Sequence, residues 1–440
     1  MDPSATAFLT QKGELILQLD RFIYGLKQSP YKFQLNLKGF LEGEGYQQQP
    51  LDECLYMKKV GSDWSIISTH VDDILQTATT DRMIKELQTA LDKRYGKTTY
   101  SPEAQAYIGL SLERSKDLSR FKLTQRGLTD KILTDFCAND MRISKDPAIS
   151  DLFTTSSNIV GEGAKPVDMK KYLSLVMSLM YLARLTRPDI LLPVTYLATR
   201  SHHCNQNDWK QAIKICHYLR NTANHGIVID CQSLDINCIC DASYGVHPDG
   251  KSHTGYAITF GTNSSFVHTK SAKQKLVAQS STDAEVFAMV DCLKQASWMR
   301  ELIQELALTD LKKLTIYQDN KSAIIMTTDT SKFRKSKHIL TKISYARQMH
   351  MRGILSVTYL DTNSMFADML TKPLHGDKFI DFCDSIMGVQ NWDSVKATNE
   401  KQSVTTKPNT NSTTESTGPV PAAKTNRTQK QTQNLLQYSK

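Results

Sequence analysis

The sequence has no apolar run long enough to cross a bilayer. Its longest, around Leu173 to Leu185, is interrupted by Ser174, Ser178 and Arg184, whereas a span needs ~18 apolar residues. It has no CxxC pair among its 9 cysteines, which argues against a zinc ribbon and for a reduced, intracellular protein. The cluster His202-His203-Cys204 lacks a matching second pair of ligands, so no metal is expected there. No basic N-terminal segment leads into an apolar one, so no signal peptide is expected. Charge imbalance is small outside one stretch. The net charge is +9, but residues 394–440 hold seven Lys or Arg against Glu400 and Glu415. The body of the chain therefore permits a phosphate-rich partner without demanding one. What is present is globular: 440 residues, 40% hydrophobic and 22% charged, enough for two or three domains.

The chain is organised around Ser68-Thr69-His70-Val71-Asp72-Asp73-Ile74-Leu75. Ile66 and Ile67 precede the two acids; Ile74 and Leu75 follow them. Apolar and β-branched flanks predict a strand–turn–strand hairpin with the acids at its tip. Neighbouring strand residues point to opposite faces, so one acid enters a site and the other lies at its edge. Close carboxylates repel unless a cation lies between them, and Mg²⁺ is the usual cation beside phosphates. A polar turn is the plain alternative, because Asp is frequent in turns.

Upstream lie Ile23-Tyr24-Gly25-Leu26-Lys27-Gln28-Ser29-Pro30 and Asp52-Glu53-Cys54-Leu55-Tyr56. With the Asp pair, these stretches resemble the reverse transcriptase of copia-type LTR retrotransposons, in spacing as well as in residues. The family carries Tyr-x-Asp-Asp, and His70 stands here in place of the Tyr. The resemblance implies that Asp72 and Asp73 are polymerase metal ligands and that Gly25, Lys27 and Gln28 meet nucleotide and template. Met1-Asp2-Pro3-Ser4-Ala5-Thr6-Ala7-Phe8-Leu9 is similar to the family's first catalytic motif and implies a third catalytic acid, Asp2. The family Asp usually stands one residue closer to the Thr, and a plain terminal residue is the alternative. Fingers are not represented, and only Thr10 to Phe22 separate this motif from Tyr24, so the resemblance implies impaired DNA synthesis.

Phe33, Leu37, Phe40 and Leu41 share one face of a helix that runs to about Glu42. Met83, Leu87, Leu91 and Tyr95 mark a second, amphipathic helix. Tyr107 to Glu113 and Phe121 to Gln125 read as a hairpin, which in the family places the primer end. A helix follows over 127–136, and 141–168 reads as a linker. Tyr172 to Arg184 is apolar on most faces and expected to be buried. Arg187-Pro188-Asp189 interrupts it, and Trp209, Ile213, Cys216 and Leu219 resume helical spacing. The stretches 172–182 and Thr186-Arg187-Pro188-Asp189-Ile190 resemble the family's connection.

From Ile236 the pattern changes to strands at 236–240, 255–260 and 265–269 and a helix over about 282–306. A strand at 314–318, a helix over 339–351, a strand at 354–359 and a short helix over 363–370 follow. This is the ribonuclease H order, an α/β layer fold. Asp241 and Asp319 end neighbouring strands, where ligands collect in α/β sheets. Glu285 lies in the first turn of the long helix and Asp368 on the last one. Four acids from four elements can bridge two Mg²⁺ ions, one activating water and one stabilising the leaving oxygen. Each acid also has a bland role available. Thr282 and Glu285 form a Thr-x-x-Glu capping box, Asp241 and Asp319 suit turns, and Asp368 suits a solvated helix face. Cys240-Asp241-Ala242-Ser243, Ser280-Ser281-Thr282-Asp283-Ala284-Glu285, Tyr317-Gln318-Asp319-Asn320 and Ala367-Asp368-Met369-Leu370-Thr371-Lys372-Pro373-Leu374 resemble the copia-type ribonuclease H boxes. Lys270, Lys273 and Lys275 are candidate phosphate contacts or a solvated loop. His338, in Lys337-His338-Ile339, either positions nucleic acid or is structural.

The expected organisation is a truncated reverse transcriptase palm over 1–145, a linker and helical connection over 146–232, an RNase H-like domain over 233–389, and a disordered basic tail over 390–440. The fold class is α/β: an α+β palm remnant, then an RNase H-like mixed-sheet domain. The resemblance implies RNA-directed DNA synthesis and Mg²⁺-dependent cleavage of RNA in RNA–DNA hybrids, with Mn²⁺ as a substitute. It implies an RNA–DNA hybrid, a DNA primer, an RNA template and other element-encoded proteins as partners. No membrane is involved, and the place is cytoplasmic (a virus-like particle) or nuclear. The rival reading is a non-catalytic nucleic-acid-binding remnant.

Overall fold

The computed structural model describes residues 25–102, 104–117, 119–153, 167–230, 233–261, 264–306, 308, 313–329, 337–388 and 434–439. Packing divides the chain into two units, 1–104 with 431–440, and 105–430. No helix among the described residues is long and apolar enough to cross a membrane.

In the first unit, Pro30 pre-sets the backbone at the start of α1 (Ser29–Gly43), which buries Leu37 and Leu41. Then come β1 (Gln47–Gln49), β2 (Asp52–Val60), β3 (Asp63–His70), β4 (Asp73–Ala78), α2 (Asp81–Tyr95) and β5 (Thr99–Ser101). Strands β1 to β4 form an antiparallel meander. Alternation sends Ser65, Ile67 and Thr69 of β3, and Ile74, Gln76 and Ala78 of β4, inward. Leu37, Leu41, Tyr56, Ile67, Leu87 and Leu91 meet in one core. Buried Gln76 donates its amide to Ser65 Oγ at 2.9 Å and to the Tyr46 hydroxyl at 3.2 Å, which satisfies the polar groups that face the core.

A strand over Asn434–Ser439 sits between β4 and β5, antiparallel to both. The sequence predicts no structure there. Leu435, Leu436 and Tyr438 form an apolar cluster in a mostly polar tail, and β4 offers an edge whose N–H and C=O groups need partners. The rest of the tail, 389–433, lies outside the described residues.

The second unit begins with β6 (Ala106–Tyr107), β7 (Leu110–Arg114) and β8 (Arg120–Thr124), followed by α3 (Arg126–Cys137). The helices α4 (Met169–Leu185), α5 (Leu191–Thr199) and α6 (Gln206–Asn221) come next, and β9 (Ile227–Asp230), which the sequence pattern does not reveal, pairs with β8. Helix α4 is buried through Tyr172, Leu175, Val176, Leu179 and Leu182, but Leu173 and Met177 are exposed at 43% and 44%. Its surface is therefore more open than the apolar composition predicts. Pro188 stops the helix, as expected. Arg187 then turns inward and binds Asp189 through Nε at 3.0 Å and Nη2 at 2.7 Å, and the Thr222 carbonyl at 2.9 Å. A buried ion pair thus ties the α4–α5 turn to the end of α6.

The remaining elements are β10 (Ile236–Ser243), β11 (His253–Phe260), β12 (Phe266–Lys273), α7 (Ser281–Glu305), β13 (Leu314–Gln318), α8 (Lys321–Thr328), α9 (Lys337–Met351), β14 (Leu355–Tyr359) and α10 (Gly376–Met387). The sheet order is β12-β11-β10-β13-β14. The first three strands are antiparallel, and β13 and β14 run parallel to β10. This is the RNase H-like mixed sheet that the order of elements predicts. Helices α8 and α10 are additions to that reading. In place of a helix over 363–370 there are two 3-10 turns, Thr362–Ser364 and Phe366–Leu370. Asp361 caps the first turn, and Met365, at ψ 81°, breaks the backbone between them.

Alternation along the strands gives the sheet two apolar faces. Cys238, Cys240, Tyr256 and Ile258 face α7 and α9. Ile239, Ala257 and Phe266 face the other side, in one core with Leu179, Leu197, Ile215, Phe379 and Phe382. The expected boundaries at 145/146 and 232/233 are therefore not seams. The second face of the sheet needs an apolar cover, and the connection helices supply it. The break in packing falls at 104/105.

Candidate functional site

Asp241 lies near the end of β10, and Asp319 directly follows β13. The two strands are parallel, with Asn237 beside Thr315 and Ile239 beside Tyr317. Extending that register sets Asp241 next to Asp319. Glu285 reaches the same point from α7. The cap of that helix is Ser280, whose hydroxyl accepts from the Asp283 amide at 3.2 Å. The Thr-x-x-Glu capping box does not form, and Glu285, one turn further in, faces the strands instead. One oxygen from each of Asp241, Glu285 and Asp319 falls within 4.8 Å of the others.

Gln318 organises this corner, a role the sequence reading missed although it quotes the residue beside Asp319. Its buried amide donates to Glu285 Oε2 at 3.3 Å and accepts from the Asp319 and Asn320 amides at 2.8 and 3.0 Å. The Thr362 hydroxyl donates to Asp319 Oδ2 at 3.1 Å. Asn320 caps α8 by accepting from the Ala323 amide. The acids are thus fixed by neighbours on rigid elements.

Asp368 stands apart from this trio. It lies in the Phe366–Leu370 turn, and its carboxylate receives Lys372 Nζ at 2.6 Å and Lys378 Nζ at 3.4 Å. Lys372 also lies 3.5 Å from Asp241 Oδ2, and the Thr371 hydroxyl donates to that same oxygen. Gly255, paired with Asp241 across β11, makes the approach possible. A Cβ there would meet Thr371 Cγ2 at 2.6 Å and Leu370 Cβ at 2.8 Å.

Burial sets the electrostatics. It pushes the Glu285 carboxyl well above the ordinary range, and the charges of Asp241 and Asp319 push it further. Burial also raises Asp241, against the pull of Lys372. For Lys372, burial opposes the charge, but Asp241 and Asp368 outweigh it and hold the ammonium charged. Three hard oxygen donors gathered this closely suit a small divalent cation such as Mg²⁺.

The residues expected to form a polymerase site are arranged differently. Asp72 and Asp73 sit at the tip of the β3–β4 hairpin, both half-buried, beside Val71 in a left-handed conformation at φ 55°. Burial and the neighbouring Asp72 raise Asp73. Asp2 lies outside the described residues. Gly25, at φ 94°, and Lys27 and Gln28 are exposed ahead of α1. Lys270 pairs with Asp291, and Lys273 with Asp249 at 2.8 Å. With Lys275, they line a cleft of about 580 Å³ that Lys294 and Lys342 also enter, two residues the sequence reading did not single out. His338 lies on α9 with its side chain outside the described residues.

Residues 2–150 match the family model for reverse transcriptase (RNA-dependent DNA polymerase). The chain is thus an α/β protein with an RNase H-like sheet order, and its first third is similar to reverse transcriptases. More particularly, it is similar to the Pol polyproteins of copia-type retrotransposons. It is 28% identical over 86% of its length to the Pol polyprotein from transposon TNT 1-94 of Nicotiana tabacum and spans 28% of that relative. To the Pol polyprotein from transposon RE2 of Arabidopsis thaliana it is 28% identical over 85% of its length, spanning 25% of it. Among solved structures, a foamy viral protease-reverse transcriptase bound to an RNA/DNA hybrid aligns over 80% of this chain and 42% of its own, at 13% identity and a TM-score of 0.39. LC11-RNase H1 aligns over 31% of this chain and 92% of its own, at 16% identity and a TM-score of 0.25.

Proposed function

We propose that the second unit is a Mg²⁺-dependent ribonuclease that cuts RNA in RNA–DNA hybrids, joined to a reverse transcriptase palm built on Asp72 and Asp73. The observation that carries this is the convergence of Asp241, Glu285 and Asp319 within 4.8 Å where the interior strands β10 and β13 of an RNase H-like sheet end. When bound, Mg²⁺, or Mn²⁺ in its place, would polarise a phosphate and lower the pKa of a bound water. Asp241 and Glu285 present oxygens from a dry interior, where charge interactions are strong. Asp319, less buried, lies on the solvent side, where a strand can enter. Gln318 and Thr362 hold the carboxylates in place, so little reorganisation is needed on binding. Lysines of the 270–275 cleft would meet phosphates, which orient a duplex without reading sequence. Primer, template and hybrid are the nucleic acids this reading requires.

The test is cleavage of a labelled RNA–DNA hybrid by the full chain. Cutting is expected in millimolar Mg²⁺, none in EDTA, and Asp319→Asn should lower the rate by more than about 100-fold. A folded wild type that binds hybrid but never cuts supports the second reading, a non-catalytic nucleic-acid-binding protein. That reading draws on Asp368 being held by two lysines.

A further inference from the structure

The four acids do not form one uniform cluster. Asp241, Glu285 and Asp319 converge on each other, while Asp368 turns to a lysine. Lys372 Nζ lies between Asp368 Oδ1, at 2.6 Å, and Asp241 Oδ2, at 3.5 Å. Both carboxylates are almost fully buried, whereas the Lys372 side chain is 40% exposed. The Lys372 side chain thus reaches the buried carboxylates from solvent, on a flexible stem. Its neighbour Thr371 donates to Asp241 and also to the Asp368 carbonyl at 3.2 Å, which anchors the backbone below it. Lys378 reaches Asp368 alone, at 3.4 Å, from α10.

We propose that Lys372 is an internal cation that bridges Asp241 and Asp368 and competes there with a second divalent ion. The proposal rests on the nuclease reading above. An ammonium and a metal ion both need the same carboxylate oxygens, so they exclude each other. The trio without Asp368 is ready for one ion. A second must first displace Lys372, and so binds more weakly. Lys372 is in this sense a positioning residue: it sets the order and the spread of the two affinities. It also neutralises part of the cluster before any metal arrives, which limits the repulsion among four acids.

The experiment is a Mn²⁺ titration of the full chain, with free ion counted by electron paramagnetic resonance. The wild type should bind one ion, with a second at least about tenfold weaker, the scale of one partly screened charge contact. Lys372→Gln should tighten the second ion about tenfold and leave the first within about threefold. Lys372→Arg keeps a cation and should follow the wild type, and Lys378→Gln should shift the second affinity less than Lys372→Gln does. Circular dichroism checks folding, and Lys372→Met, which keeps the aliphatic stem, replaces Lys372→Gln if that variant unfolds. Equal affinities in the wild type, or an unchanged second affinity in a folded Lys372 variant, overturn the inference. A wild type that binds no Mn²⁺ overturns the metal-dependent nuclease reading instead.

Discussion

Two acidic sites in this chain are built on opposite plans. At the β3–β4 tip, two consecutive residues place Asp72 and Asp73 half in solvent, and one hairpin supplies both. At the strand ends of the sheet, Asp241, Glu285, Asp319 and Asp368 come from four elements spread over more than a hundred residues and are largely buried. The first plan needs only a tight turn. The second needs a finished fold, and it stores like-charge repulsion that Gln318, Thr371 and Lys372 offset. A site of the first kind is contained in one short motif, whereas one of the second kind is scattered over four, and only the fold shows which carboxylates meet.

The contrast breaks most severely if the strand-end site survives without its neighbours. A fragment spanning 233–389 leaves out α3 to α6 and exposes the apolar face around Ile239, Ala257 and Phe266. It should show no cooperative unfolding transition, whereas 105–389 should. A sharp urea transition from the short fragment would mean the shared core is dispensable.

The next effect is on activity. Asp72→Asn should abolish any primer extension yet leave hybrid cleavage within about twofold, because the two sites share no element. Loss of cleavage in that variant would show that they are coupled.

Gly255→Ala should cost roughly 1–3 kcal/mol by pushing the Leu370–Thr371 turn away from Asp241. Chemical denaturation measures that cost, and a Mg²⁺ titration of the folded variant should show weaker binding.

The smallest effect concerns pH without metal. Burial raises Glu285 and Asp241 above their unfolded values. Their contribution is therefore intact below about pH 4, the unfolded carboxyl range, and is lost as pH rises through the higher folded values. In EDTA the wild type should lose stability from pH 5 to 8. Glu285→Gln should flatten that slope by on the order of 1 kcal/mol. An identical slope in the variant would place the repulsion elsewhere.

Much of the fold was legible because its signals are local. The strand at 314–318 and the helix breaking at Pro188 appear where pattern and backbone restriction put them. Strand β9 and helix α10 were not legible. The first is only four residues long, shortly after a helix, and the second carries a local pattern, Phe379, Phe382, Cys383, Ile386 and Met387 at helical spacing before Gly388, that adjoins the polar tail. Glu285 shows the limit on the site. Its sequence neighbours argue for a helix cap, and only the position of the true cap, Ser280, two residues before Thr282, frees it for the cluster. Gln318 and Lys372 stood inside quoted boxes, but their roles depend on oxygens that approach from other elements. The strand at 434–439 was hidden by the polar tail around it.

The double-faced sheet bears on how such a chain can be exchanged between elements. A recombination that joins a foreign RNase H-like segment at residue 233 would graft one half of an interface onto an unrelated other half. An exchange at 105 moves the sheet together with the helices that fit it. The inheritable cassette is therefore the longer one, and chimaeras that remain functional should have their crossovers near Gln105 rather than at the edge of the acid-bearing domain.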